Sequence, residues 1–168
     1  PTNTKGFTAE KIEDKFSLRA SVTSELILED VEVGPDALLP NVKGMKGPLS
    51  CLSQARSGIA FGAIGAAMAC YESALSYAKD RVQFGQPIGN FQLIQDKLAR
   101  MEVARLNVQN LVFRNLEMAQ AGVPLTLAEA SAMKLYSARA ATEVALEAVQ
   151  VFGGNGYMSE FRVEQLAR

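Results

Sequence analysis

The chain has 168 residues, 48% of them apolar, and 17 Lys and Arg set against 18 Asp and Glu leave a net charge of −1. That length and apolar share suit one packed domain and part of another, and the balanced charge, without long runs of one sign, gives nothing that favours a nucleic-acid or anionic-membrane surface. Histidine is absent, which removes Ser-His-Asp catalysis and histidine-ligated zinc and leaves no metal site to expect.

The chain opens on Pro1-Thr2-Asn3-Thr4, with neither the basic start nor the apolar core of a signal peptide, and reads as a sequence entered midway. From Gly6 to about Val33 the apolar residues come in short patterns, at Phe7, at Phe16 and Leu18, and at Leu26, Leu28, Val31 and Val33, and these predict strands. Within them Lys15-Phe16-Ser17-Leu18-Arg19-Ala20-Ser21 alternates apolar and polar residues, as a strand or hairpin with its charges in solvent does. Gly34-Pro35-Asp36, Pro40 and Lys43-Gly44-Met45-Lys46-Gly47-Pro48 are turn and linker chemistry, and they divide the chain near residues 40 to 48.

The period then changes to that of helices. Pro48 suits a first helical turn, and Leu52, Ile59, Ala63, Ala67, Cys70, Ala74 and Ala78 carry a helix to about Asp80, on the order of 50 Å long at 1.5 Å per residue. Gln86 to Asn90 breaks the pattern. A second helix runs from about Phe91 to Gln120 on Ile94, Leu98, Met101, Val108, Val112 and Ala119, and Gly122 and Pro124 stop it. Thr126-Leu127-Ala128-Glu129 has the form of a capping box, opening a third helix that bears Ala130, Met133, Ala140, Val144, Ala148 and Val151 and ends at Gly153-Gly154. Glu160 to Arg168 starts a fourth helical segment. Three long antiparallel helices and this stub predict a mainly α fold, an up-and-down four-helix-type bundle with one incomplete wall and an exposed apolar face through which copies of the chain associate. No apolar run is expected to cross a bilayer, because Gly58, Gly62 and Gly65 lie in the most apolar stretch with Arg56 and Glu72 near its ends. Cys51 and Cys70 are too few for a disulfide framework and are expected to be small buried hydrophobes.

Four places carry possible chemistry, each with a plainer alternative. Arg56 with Ser53 on the first helix is either a binding pair or a solvated charge whose stem covers apolar surface. Gly58, Gly62 and Gly65 recur on nearly one face, at a cost of about 1 kcal/mol each against alanine, and serve either close helix packing or room for a flat ring or acyl chain. Arg81-Val82-Gln83-Phe84-Gly85-Gln86-Pro87 is either a phosphate and base site or an ordinary helix end where arginine meets the carbonyl dipole. Gln150-Val151-Phe152-Gly153-Gly154-Asn155-Gly156-Tyr157 lacks the Rossmann spacing, and is either a helix cap or, with a helix beginning beyond it, a phosphate seat.

Three segments in one order resemble the acyl-CoA dehydrogenase family, most closely its glutaryl-CoA dehydrogenases. Lys15 to Ser21, with Glu29-Asp30-Val31-Glu32-Val33 and Leu38-Leu39-Pro40, is similar to the end of the family's middle β-domain. Asp80-Arg81-Val82-Gln83-Phe84-Gly85 with Phe91-Gln92, and the Gln150 to Tyr157 string, are similar to its flavin-contacting segments. The resemblance implies that residues 1–40 close the β-domain and residues 41–168 belong to the C-terminal helical bundle. It implies that Arg81, Gln83, Phe84, Phe91, Gln92, Gln150, Phe152, Gly153 and Gly154 contact FAD, the first five across a subunit interface and the rest at the diphosphate or adenosine end of FAD bound mainly to the neighbouring subunit. It places Ser53 and Arg56 near the CoA part of a thioester, although many relatives carry an acidic residue or asparagine where this chain has Ser53. The implied reaction is oxidation of an acyl-CoA to the 2-enoyl-CoA, for glutaryl-CoA with decarboxylation to crotonyl-CoA, in a homodimer or homotetramer that passes electrons to electron-transfer flavoprotein. The implied compartment is the cytoplasm of a bacterium or the mitochondrial matrix of a eukaryote. The family's catalytic glutamate lies in a Tyr-Glu-Gly-Thr-like segment that none of these residues matches, so the polypeptide alone is expected to be inactive. The alternatives are a short- or medium-chain acyl-CoA dehydrogenase, or a non-catalytic oligomerisation bundle of the same fold.

Overall fold

A computed structural model of the chain describes residues 2–168. The chain divides into two compact units, the boundary falling between Lys46 and Gly47.

In the smaller unit β1 (Phe7–Lys11) pairs antiparallel with β2 (Ser24–Leu28), in a register that sets Phe7 opposite Leu28 and Lys11 opposite Ser24. The residues between them do not continue the strands. Of the strand or hairpin expected over Lys15 to Ser21, the strand is absent: the segment is a folded loop connecting the β1–β2 hairpin, with Asp14 at φ +55° and Leu18 at φ +49°. The Lys15 ammonium closes it, donating to the carbonyls of Leu18 and Ser21 and to Thr23 Oγ1. A lysine head with three donors satisfies a turn more readily than a strand would use it, and alternation alone does not report this. No residue of 2–46 is buried, and a lone two-stranded hairpin is only marginally stable.

The larger unit is helical, with α1 (Lys46–Asp80), α2 (Gln92–Gln120), α3 (Leu127–Phe152) and the short α4 (Arg162–Ala167). Helices α2 and α3 run antiparallel. Lys97 meets Glu147 at 2.5 Å, and Asn107 Nδ2 donates to Tyr136 Oη at 3.2 Å, so partners on α3 fall in number as those on α2 rise. The α1 stripe Ala67, Cys70, Ala74 and Ala78 enters one core with Met101, Val144, Ala148, Val151 and Val163. A second cluster joins Ala60, Val108, Val112, Met133 and Ala140. Small side chains on α1 let its backbone approach larger ones on the facing helices, which close packing requires.

The capping box is present. Thr126 Oγ1 accepts from the Glu129 N–H, and the Glu129 carboxylate accepts from the Thr126 N–H at 2.9 Å. Thr126→Ala is expected to cost about 1 kcal/mol of stability, measured by denaturant unfolding. The Thr126 hydroxyl and N–H hold the Glu129 carboxyl below its ordinary value. A depressed carboxyl stabilises the fold above its unfolded value of about 4.5 and loses that contribution as pH falls through the folded value. The difference between wild type and Thr126→Ala is therefore expected to shrink on acidification below that range.

Three expectations are corrected. Helix α1 is long and apolar enough by length and composition to cross a bilayer, because its many alanines raise mean hydropathy without bulk; its stripe is instead packed into the bundle core. Cys51 is exposed, whereas Cys70 is buried and its thiol is pushed up to about 11 by burial. At Gly58, Gly62 and Gly65 an added Cβ would meet nothing within 4 Å among the described residues, so these glycines do not serve helix packing inside this chain. Ile59, Val103, Phe113 and Leu135, each at least half exposed, add apolar surface on the bundle.

Candidate functional site

The last turn of α1 leads into a two-residue hairpin, β3 (Val82–Gln83) against β4 (Gln86–Pro87). The Arg81 N–H donates to the Tyr77 carbonyl at 2.8 Å, and the Ile88 N–H donates to the Arg81 carbonyl at 2.8 Å. The hairpin tip is Phe84-Gly85, at φ +53° and +80°. Positive φ at both central residues is what a tight hairpin turn demands, and glycine supplies it freely, whereas phenylalanine does so under strain. At that tip the Phe84 ring stands in solvent at 91% exposure, edge-on to Phe91 at 6.2 Å. Gly89 lets the following turn lie against α1, since a Cβ there would come within 3.0 Å of the Ala78 carbonyl oxygen.

The second rim forms at the end of α3. Gly153 caps the helix at φ +60° with its N–H donating to the Gln150 carbonyl, and Gly153–Tyr157 then make a 3-10 turn. The helix expected beyond this turn, from Glu160, is α4, which starts at Arg162; it contributes no residue to the cleft, so its N-terminus is not the phosphate seat there. Gly156 is buried so tightly in that turn that a Cβ would meet the Val149 carbonyl oxygen at 2.4 Å and Phe152 Cβ at 3.0 Å.

Between the rims lies a cleft of about 710 Å³. It brings together Arg81, Gln83, Phe84 and Phe91 from one side and Phe152, Gly153 and Gly154 from the other. Two predicted residues stand outside it. Gln92 is in the first turn of α2, and Gln150 lines a separate shallow cleft with Lys97, Glu143, Leu146 and Glu147. Ser53 and Arg56 are neighbours, with Arg56 Nη1 donating to Ser53 Oγ at 3.4 Å, but they lie about 32 to 36 Å back along α1 from Tyr77.

The lining includes residues that the sequence did not mark, chiefly Tyr77 and Asn155, with Ile88, Leu93 and Ile94 as its apolar floor. Tyr77 falls within an ordinary helical pattern, so only its neighbours in space give it meaning. The cleft holds one cation, Arg81, and no carboxylate, and Arg81 has no ion-pair partner among the described residues. A guanidinium, two amides, the exposed Phe84 ring and the half-buried Phe91 ring are suited to an anionic group attached to a flat ring system. Among the described residues no group of three or more His, Cys, Asp or Glu could hold a metal ion.

The acyl-CoA dehydrogenase C-terminal domain family matches residues 42–168. The chain belongs to the acyl-CoA dehydrogenase family. Over 165 residues it is 38% identical to a short-chain specific acyl-CoA dehydrogenase of Clostridium acetobutylicum, covering 98% of this chain and 43% of that one. A glutaryl-CoA dehydrogenase structure from Mycobacterium smegmatis superposes with a TM-score of 0.96 at 46% identity, covering 99% of this chain and 43% of the other. A glutaryl-CoA dehydrogenase of the same organism, in complex with FADH2, gives a TM-score of 0.95 at 41% identity, again over 99% and 43%. The chain thus spans less than half the length of these acyl-CoA dehydrogenases, and its mainly helical fold is that of their C-terminal domain.

Proposed function

We propose that this chain is the cofactor-holding helical part of an FAD-dependent acyl-CoA dehydrogenase that oxidises glutaryl-CoA to crotonyl-CoA with decarboxylation. The observation that carries this reading is the cleft joining the Arg81 to Phe91 rim to the Phe152 to Gly154 rim, with one unpaired cation and no carboxylate. FAD matches that donor set in having a diphosphate and two flat ring systems. Arg81 would neutralise and orient the diphosphate, Gln83 would supply amide hydrogen bonds, and the Phe84 and Phe91 rings would cover a ring face and exclude water. When bound, the flavin supplies the hydride acceptor. No carboxylate lines the cleft, so the proton-abstracting base is assigned elsewhere, and residues 2–168 alone are proposed to be inactive.

Around that centre the remaining assignments follow the resemblance. Ser53 and Arg56, far along α1, are proposed to meet the CoA part of the thioester, with the open face at Gly58, Gly62 and Gly65 leaving room for a chain or ring. Residues 1–40 are proposed to close a β-domain, which accords with a hairpin that buries no residue of its own. A homodimer or homotetramer would cover the apolar surface at Val103, Phe113 and Leu135. Electron-transfer flavoprotein is the proposed acceptor, and the compartment is the cytoplasm in a bacterium or the mitochondrial matrix in a eukaryote.

A second reading, a short-chain acyl-CoA dehydrogenase acting on a neutral acyl group, is favoured by the 38% identity to such an enzyme. The visible spectrum of the full-length protein tests both. A yellow protein bleached by glutaryl-CoA but not by butyryl-CoA is expected; bleaching by butyryl-CoA alone favours the second reading. A colourless protein that takes up no added FAD leaves the non-catalytic oligomerisation bundle.

A further inference from the structure

The two rims of the cleft are more than sixty residues apart in sequence, and one residue is tied to both, by its backbone to the first and by its side chain to the second. Tyr77 sits on the last turn of α1, and its carbonyl accepts from the Arg81 N–H at 2.8 Å, so the backbone that carries the cleft's cation hangs from it. Its ring stacks on Phe152 with centroids 4.0 Å apart and planes 15° from parallel. Its hydroxyl accepts from Asn155 Nδ2 at 2.9 Å. Phe161 packs edge-on against both rings, at 6.4 Å from Tyr77 and 5.7 Å from Phe152.

The second rim needs such a tie. Gly153 and Gly154 are exposed, an added Cβ at either would touch nothing, and glycine has the widest backbone freedom of any residue. The rim is fixed at Gly156 by its close approach to Val149, and at Asn155 by the bond to Tyr77. A tyrosine that served only packing would have no use for its hydroxyl, whereas this one is spent on a residue that lines the cleft.

We infer that Tyr77 is a positioning residue for the flavin nucleotide, setting the Phe152 to Asn155 rim at a fixed distance from the Arg81 rim so that one ligand can reach both. The inference rests on the FAD reading above. It assigns Tyr77 no contact with reacting atoms. Its ring keeps the stack, and its hydroxyl sets the register of the glycine turn.

The test uses the full-length protein and separates hydroxyl from ring. Tyr77→Phe keeps the stack and removes the acceptor, and Asn155→Ala removes the donor. FAD dissociation constants are read from the fluorescence of released flavin, and the glutaryl-CoA dissociation constant is measured at saturating FAD. Tyr77→Phe is expected to weaken FAD about fivefold, the effect of one neutral hydrogen bond. The double variant is expected to bind FAD no more weakly than Asn155→Ala alone, because both changes break the same bond. Glutaryl-CoA affinity is expected to stay unchanged, since Ser53 and Arg56 lie at the far end of α1. Unchanged FAD affinity in Tyr77→Phe, additive effects in the double variant, or equal weakening of both ligands would each overturn the positioning role. A wild-type protein that does not bind FAD overturns the flavin reading itself, before any variant is compared.

Discussion

Gly156→Ala is expected to destabilise the helical unit by about 3 kcal/mol, at the upper end of what overpacking a closed site costs. The new Cβ would lie 2.4 Å from the Val149 carbonyl oxygen and 3.0 Å from Phe152 Cβ. The first of these is backbone of α3's last turns, which cannot swing aside as a flexible side chain does. Relief requires the Gly153–Tyr157 turn to lift off the helix, and lifting it breaks the bond from Asn155 to Tyr77. The variant is therefore expected to lose FAD affinity along with stability. Gly154→Ala is the matched control, because a Cβ there meets open space, and it is expected to stay within about 0.5 kcal/mol of wild type. Denaturant midpoints at unchanged slope distinguish the two. Equal stability of Gly156→Ala and Gly154→Ala would mean that the turn does not pack as described.

Arg81→Ala is expected to leave the bundle's stability within about 0.5 kcal/mol of wild type and to weaken FAD by about thirtyfold, the range for a hydrogen bond to a charged group. The first half follows from its exposure and from the absence of an ion-pair partner among the described residues; its structural hydrogen bonds are made by its backbone. The second half follows from its being the one cation that lines the cleft. Arg81→Lys is expected to recover part of the loss, since an ammonium keeps the charge but not the planar pair of donors. Raising the salt concentration is expected to weaken the wild type more than Arg81→Ala, because screening acts on the charge that only the wild type has. Retention of full FAD affinity by Arg81→Ala would place the flavin somewhere other than this cleft.

The bundle itself was legible residue by residue. A change of apolar period after the Lys43 to Pro48 linker, the stops at Gln86-Pro87 and Gly122-Pro124, and the Thr126 to Glu129 capping box lie within a few positions of the helix ends. Those signals are local, since a helix face, a cap and a turn are each set by residues within about one helical turn of one another. The Arg81 to Phe84 segment was legible for the same reason, as a cation and an aromatic ring held in one tight turn. Alternation misread Lys15 to Ser21, because the Lys15 ammonium gathers a loop through contacts that a two-residue period does not contain.

What the sequence determined alone was therefore the helices, their ends and two candidate rims. Only the tertiary structure decided that Arg81 and Phe84 face Phe152 to Gly154 across one cleft, that Gln92 and Gln150 stand outside it, and that Tyr77 joins its two sides. It also decided that Gly58, Gly62 and Gly65 of α1 face open space while Gly89 and Gly156, beside the cleft, are held where close packing requires glycine. The physical reason is the same in each case: the period of a helix says which residues share a face, but which face meets which is settled by how whole helices pack against one another.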